Sequence, residues 1–559
     1  MVSQTLDKEW DFIIVGAGSA GCVLARRLSE DRDCRVLLLE AGGRAPRWDW
    51  RIHMPAAFSY PMNTSTYDWG YQTTEQPRLS NRRLHCPRGL VVGGSSAING
   101  LVYIRGHALD YDRWAQDPAL SHWSYQHCLP YFRRAETRDQ GADDYHGGDG
   151  PLYVTTGQGW SPLYQAFIEA GQQAGYGYTP DMNGYRQEGF GPMQMTVHNG
   201  IRASAARAYL DPVLGERGNL DVYTRARTHQ VVFDGRRATG VVFSRRGQVY
   251  TARANRRVIL AAGAINSPQL LMLSGIGPAA HLRDHGIAVR ADLPGVGSNL
   301  QDHLELYIQQ RCTRSVSLYP ALKPWNQARI GLQWYLLHTG HGATNHFEAG
   351  GFIRSRAGIE HPDLQYHFLP MAIRYDGKSP IKGHGFQAHV GPMRSKSRGT
   401  VRLRSNDPSH APIIDPQYMT HEDDWTEMRA GIRLTRELFE QNALAAYRGG
   451  EIAPGSKVNS DRELDEFIAS QVESAYHPSC TCAMGSGPQA VVDGSTAVYG
   501  VEGLNVVDAS IMPDIVSGNL NAPTIMIAEK VSDLIAGRKP LPPAQIPVWI
   551  HPEWAAKQR

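Results

Sequence analysis

The stretch that decides the fold is Asp11-Phe-Ile-Ile-Val15-Gly16-Ala-Gly18-Ser-Ala-Gly21-Cys-Val-Leu-Ala-Arg-Arg-Leu-Ser29, completed by Val36-Leu-Leu-Leu39-Glu40. An apolar run meets a glycine turn, helix-like spacing follows, and a second apolar run ends on an acid. Strand, turn, helix, strand and acid in that order predict a dinucleotide-binding unit. Gly16 permits the tight turn, Gly18 lets the backbone approach a pyrophosphate, and Gly21 lets the helix close on the strand. The phosphates are expected on the helix N-terminus, where unpaired N–H groups favour negative charge. Glu40 stands where it can accept from ribose hydroxyls and would repel a 2′-phosphate, which argues against NADP. These residues leave NAD and FAD as alternatives.

Working outward, 559 residues exceed one ordinary core, so two or three units are expected. With 42% hydrophobic and 20% charged residues the chain reads as globular, and a net charge of +3 argues against nucleic acid. Seven cysteines show neither a disulfide framework nor zinc-ligand spacing, so no metal site is expected and a reducing cytoplasm fits. Residues 1–10 carry no signal-peptide pattern, and no apolar run reaches the ~20 residues a membrane crossing needs. Peripheral contact with the inner face of the cell membrane and homo-oligomer formation stay open on composition.

Further along, Arg88-Gly-Leu-Val-Val-Gly93-Gly94-Ser95-Ser-Ala-Ile98-Asn99-Gly100 supplies a backbone that can run close to a flat ring. At Gly263-Ala-Ile-Asn-Ser267-Pro268, Ser267 reads as a helix cap and Pro268 as the first helical position. These two stretches closely resemble the two signatures of the glucose–methanol–choline (GMC) family of flavin-dependent alcohol oxidoreductases, over most of the chain. The runs Asn345-His-Phe-Glu348-Ala-Gly-Gly, Gln365-Tyr-His367-Phe-Leu-Pro, Ser397-Arg-Gly-Thr-Val-Arg-Leu-Arg404 and Tyr476-His477-Pro strengthen the resemblance and place it nearest the family's choline-oxidising members.

The resemblance implies FAD rather than NAD. It implies that Gly16, Gly18, Ser19, Ala20, Gly21, Glu40 and Ala41 hold the ADP half. Gly93, Gly94, Ser95 and Asn99 then line the flavin side, Val231 meets the adenine, and Asp508 with Ala509 closes the pyrophosphate end. Some relatives attach the flavin covalently through a histidine in the glycine-serine loop; here that position holds Ile98, so dissociable FAD is expected. The implied acceptor is a quinone or the respiratory chain rather than oxygen.

The implied reaction is oxidation of a primary alcohol, choline to betaine aldehyde, by hydride transfer to the flavin, with onward oxidation of the hydrated aldehyde to betaine left open. An uncharged primary alcohol is the alternative substrate, and a flavin-binding protein without turnover is the reading from another class. Imidazole has a pKa of about 6.5 and water one of about 15.7, so unassisted proton removal would cost roughly 12 kcal/mol. His477 is expected to accept the proton and Asn521 to donate to the same oxygen. Residues 525–535 read as a helix aimed at the flavin. A quaternary ammonium needs a carboxylate and aromatic faces, for which Glu348, Tyr476 and Trp69 are the candidates.

The fold class expected is α/β (α+β overall), a Rossmann-type FAD domain beside a second domain on an antiparallel sheet. The FAD domain is assigned residues 7–155, 200–305 and 465–540, and the substrate domain 156–199 and 306–464. Trp425, Met428, Ile432 and Phe439 share helical spacing. The proline-rich tail, 541–559, reads as a peripheral wrap or a subunit contact.

Overall fold

The computed structural model describes residues 3–374 and 381–559. Strand β1, Gln4–Val15, starts well before the apolar run, because its first residues pair with Tyr250 to Arg253 at the exposed end of a partner strand. Strand β2, Val36–Leu39, is as the spacing predicts, and helix α1, Ser19–Leu28, begins inside the glycine turn, three residues before Cys22. After a long excursion the chain adds β3, Leu220–Tyr223, β4, Ala226–Asp234, β5, Arg237–Arg245, and β6, Gln248–Leu260.

Helix α2, Gly263–Leu273, begins a turn earlier than Ser267 and Pro268 suggest. Pro268 therefore lies inside the helix and cannot donate to the Ala264 carbonyl four residues back. The Thr481 hydroxyl donates to that carbonyl instead, at 2.7 Å, and so ties α2 to the segment that follows His477.

The second sheet is built from β7, Leu304–Cys312, β8, Ala349–Ile353, β9, Leu364–Leu369, and β10, Gly385–Pro392. Helix α3, Pro324–Leu337, lies between β7 and β8. Helix α4, Glu422–Glu440, covers the sheet with Met428, Ile432 and Phe439 buried, and β11, Arg448–Ala453, follows it. The chain then returns through β12, Leu504–Val506, to helix α5, Asn521–Ala536.

The first sheet runs β3-β2-β1-β6-β5-β4, with β12 also on β6. Its β3-β2-β1-β6 portion and the β12 pairing are parallel, and the β6-β5-β4 ribbon is antiparallel. The second runs β11-β7-β10-β9-β8 to an edge strand at Gly189–Pro192, antiparallel throughout. A mixed α/β fold with one parallel-containing and one antiparallel sheet is therefore what forms.

One short pairing positions the site. Glu473–Ser474 joins the start of β7, with Leu304 opposite Ser474 and Glu305 opposite Glu473. Residues just before β7 and just after Ser474 are thereby brought together, although about 170 positions separate them in sequence. The tail lies along the surface of both halves. Ala544 donates to the Gln126 carbonyl, Trp549 to that of Tyr185, and Arg354 to that of Lys557.

Candidate active site

A cavity of about 370 Å³ runs from the carboxyl ends of β1 and β2 to the inner face of the second sheet. Ligand pockets span roughly 300–1,000 Å³, and this one reaches from the glycine turn of the first sheet to the second sheet. Gly16, Gly18, Ser19, Ala20, Glu40, Ala41, Gly94, Ser95, Asn99, Asp508 and Ala509 all line it.

The first half is a cradle of bare backbone. A Cβ on Gly16 would meet the Ala261 carbonyl oxygen at 2.5 Å, and one on Gly94 would meet Gly18 Cα at 2.6 Å. Gly16 also holds φ +101°, which favours glycine. Glu40 accepts the N–H groups of Ala17 and Gly42 at 2.8 and 2.7 Å; burial raises its carboxyl to about 7. Asp508 accepts from Gly263 N–H and the Ser267 hydroxyl, so Ser267 anchors that acid rather than capping α2. The close glycine approach, the uncapped N-terminus of α1 and the buried acid fit the diphosphate and ribose of FAD.

Gly21 and Gly93 shape the cradle without lining the cavity. A Cβ on Gly21 would lie 1.8 Å from the Gly16 carbonyl oxygen. Val231 is buried away from the cavity, its N–H given to the Ser274 hydroxyl, and Ala226, Arg227 and Thr228 form that wall instead.

The second half is organised by Asp302, which is fully buried. One carboxylate oxygen accepts the backbone N–H of His303 and of His477, at 2.9 and 2.7 Å. The other accepts the hydroxyls of Tyr418 and Ser474, at 2.5 and 2.6 Å. Arg88 donates to the Tyr476 carbonyl at 2.6 Å. Tyr476 itself holds φ +64°, a left-handed conformation costly for a side chain of this size and kept here by the bonds on either side of it.

Hydrogen-bond logic then fixes the protons. His303 Nε2 lies 3.0 Å from the Met393 carbonyl oxygen, which can only accept, so Nε2 carries the hydrogen. Burial lowers the His303 pKa to about 4, so the ring is neutral and its Nδ1 is bare. That Nδ1 faces His477 Nδ1 at 3.0 Å, so the hydrogen between them belongs to His477. His477 Nε2 is consequently bare, and the Asn519 amide donates to it at 3.2 Å. Gln365 donates to the Asn519 oxygen at 3.0 Å, which keeps the amide in that orientation. Burial first, and then the like charge that a protonated His303 or His367 would set against it, and that of Arg88, hold the His477 pKa well below its usual value. A neutral base with its lone pair beside an amide donor therefore faces the cavity, where both residues stand in the wall.

The expected partnership of His477 with Asn521 is not the one that forms. Asn521 is the first residue of α5, and its oxygen accepts the Ser19 hydroxyl at 2.8 Å on the diphosphate side. Asn519, two residues earlier and outside the helix, is the amide that meets His477. The two asparagines in Gly518-Asn-Leu-Asn521 are indistinguishable until the start of α5 is known.

Glu348 likewise turns away from the cavity. Its carboxylate accepts the Gly159 N–H at 2.7 Å and the Thr344 hydroxyl at 2.6 Å. At the second-sheet end of the cavity the carboxylate in the wall is Glu305, three residues after Asp302 and buried, with Tyr307, His389 and Phe347 in the same wall. Tyr307 donates to it at 3.3 Å, and His389 Nδ1 lies 3.6 Å from it. Tyr476 also lines this end. Trp69 lines the cavity too, but it stacks on Tyr71 and carries the Arg227 guanidinium 4.9 Å from its ring centre, an arrangement that disfavours a second cation.

Among the described residues, Asp143, His146 and Asp181 form a group spaced to hold a metal ion. A cation already sits there: Arg138 reaches Asp143 at 2.9 Å and Asp181 at 3.4 Å. His146 bridges Glu136 and Asp181 at 2.7 Å each. No helix among the described residues is long and apolar enough to cross a membrane.

Two profiles of the GMC oxidoreductase family match the chain, over residues 10–305 and 395–528. The oxygen-dependent choline dehydrogenase 1 of Chromohalobacter salexigens is 56% identical over 560 residues, covering 100% of both chains. The oxygen-dependent choline dehydrogenase of Paraburkholderia phymatum is 58% identical, over 97% of this chain and 95% of its own. Among solved structures, pyridoxine 4-oxidase from Mesorbium loti is similar at 32% identity and a TM-score of 0.86, over 95% of this chain and 100% of that one. A variant of Aspergillus oryzae formate oxidase is similar at 26% identity and a TM-score of 0.89, over 95% and 99%.

Proposed function

The chain belongs to the GMC oxidoreductase family, and we propose that it oxidises the primary alcohol of choline to betaine aldehyde. The observation that carries this reading is the bare Nε2 of neutral His477 beside the Asn519 amide in the cavity wall, with a buried carboxylate, Glu305, lining the same cavity.

FAD would be held by Gly16, Gly18, Ser19, Glu40, Ser95 and Asn99, which line the cavity, and would supply the hydride acceptor. Ile98 lines that cavity and offers no nucleophile for a covalent link, so the cofactor dissociates on denaturation. His477 Nε2 takes the hydroxyl proton, and Asn519 Nδ2 donates to the same oxygen as negative charge builds. The resulting imidazolium keeps its Nδ1–H on His303, while Asp302 holds the loop still. Glu305 sets its charge against the quaternary ammonium, with the faces of Tyr476 and Phe347 beside it. His367 and His389, both buried, complete the wall.

The relatives named for oxygen support oxygen as the acceptor to test first, against the quinone or respiratory chain that the family resemblance implies. Anaerobic mixing of the purified yellow protein with choline and with uncharged primary alcohols tests the substrate. Choline should bleach the flavin absorbance at far lower concentration; equal reduction by ethanol or butanol would overturn the choice of substrate, and no reduction by any alcohol would overturn the reaction.

A further inference from the structure

The large apolar side chains that the described residues leave in solvent are not scattered. Helix α3 contributes five of them and buries only Trp334. The Trp334 indole donates to the Gly200 carbonyl at 2.7 Å, and its ring packs with Met54 and Ala57. At helical spacing, Trp325, Leu332 and Leu336 stand on the side opposite Trp334, 88%, 61% and 66% exposed. A helix of an ordinary soluble protein turns such a stripe inward; this one turns it out. The segment that receives Trp334 adds exposed Trp48, Trp50 and Tyr60 nearby in the chain.

Along the chain on either side of α3 the charge has one sign. Between Glu305 and Glu348 the sequence contains no acidic residue. Arg314, Lys323 and Arg329 are exposed there, and Arg329 falls beside Trp325 and Leu336 on the helical wheel. Tryptophan and leucine on one face, with long cationic side chains able to reach outward from among them, make a helix suited to lie in a lipid–water interface.

We propose that α3 docks the protein on an anionic bilayer, burying Trp325, Leu332 and Leu336 among the headgroups while Lys323 and Arg329 meet lipid phosphates. A second copy of the chain suits this face less well. A two-fold contact centred on α3 would set cation against cation, with no acid in the segment to neutralise them. The segment that receives α3 continues into Phe58, Ser59 and Met62, which line the active-site cavity. Docking thus brings one wall of that cavity toward the membrane surface.

The test is sedimentation of the FAD-loaded protein with vesicles of equimolar phosphatidylglycerol and phosphatidylcholine, beside vesicles of phosphatidylcholine alone. Binding should appear with the anionic vesicles and weaken as salt rises. Trp325→Ser combined with Leu332→Gln and Leu336→Gln should weaken it roughly tenfold or more while soluble choline turnover is kept. Lys323→Glu with Arg329→Glu, exposed changes that leave the fold alone, should abolish it. Wild-type protein left in the supernatant would overturn the proposal, as would either variant binding like wild type. Light scattering that shows a wild-type dimer converted to monomer by the triple change would assign the face to a second copy instead.

Discussion

His303 and His477 meet through their Nδ1 atoms at 3.0 Å, and only His477 can carry the shared hydrogen, because the other nitrogen of His303 is committed to a main-chain carbonyl. The reactive lone pair is therefore aimed before any substrate arrives. Preorganisation of this kind spares the site the cost of reorienting a dipole as charge develops.

Asn519→Ala should slow flavin reduction by choline by roughly 10² to 10³, the range for loss of one donor to a developing oxyanion. Asn521→Ala should leave the reduction rate within about threefold but weaken FAD retention, since its partner is Ser19. Stopped-flow reduction and cofactor titration separate the two. Reversed effects would return the catalytic amide to Asn521.

Glu305→Gln should lower kcat/KM for choline by about 10², close to 2.7 kcal/mol, mostly through KM, and should leave a neutral alcohol such as butanol nearly unaffected. Glu348→Gln should change KM by less than about twofold, because that carboxylate serves Gly159 and Thr344. Steady-state kinetics on both alcohols decides.

His303→Gln should keep more activity than His303→Leu, since an amide oxygen can still accept from His477 Nδ1 and leucine cannot. A loss of about tenfold against about 10³ is expected in kcat. The pH profile of kcat/KM should shift in the leucine variant. Identical losses would mean that His303 only fills space.

Acid should destabilise the fold through its buried histidines. Burial lowers His107, His303 and His367 to about 4, whereas an unfolded chain protonates them near 6.5. Below about pH 6.5 unfolding takes up protons, so stability present above that value is lost as pH falls and levels off below about 4. At about pH 5.5 each residue should cost roughly 1.4 kcal/mol. Tm measured from about pH 8 to 5.5 should therefore fall; a flat profile would contradict neutral burial.

Acid precipitation should release FAD into the supernatant, because the loop position nearest a covalent link is Ile98. Yellow colour retained in the pellet would show another attachment.

The dinucleotide unit was legible because every step of it is local: a turn, a helix start and an acid, each written in adjacent residues. His477 was legible through the motif around it. Asn519, His303 and Glu305 were not, for a physical reason. Asn519 and Asn521 differ only in which side of a helix boundary they occupy, and Pro523 tolerates either start. His303 and Glu305 gain their meaning from the pairing of β7 with Glu473–Ser474, a contact across about 170 residues that no spacing rule reveals. Glu348 drew attention by its motif, but its side chain closes a loop instead.

The last member of the proton chain is the Met393 carbonyl, just past the end of β10. Because it belongs to the main chain, no single side-chain replacement can delete it. Drift in the surrounding residues can change what the pocket welcomes, yet the imidazole keeps pointing the same way for as long as that strand end stays put. The chemistry is thereby insulated from the evolution of its own specificity.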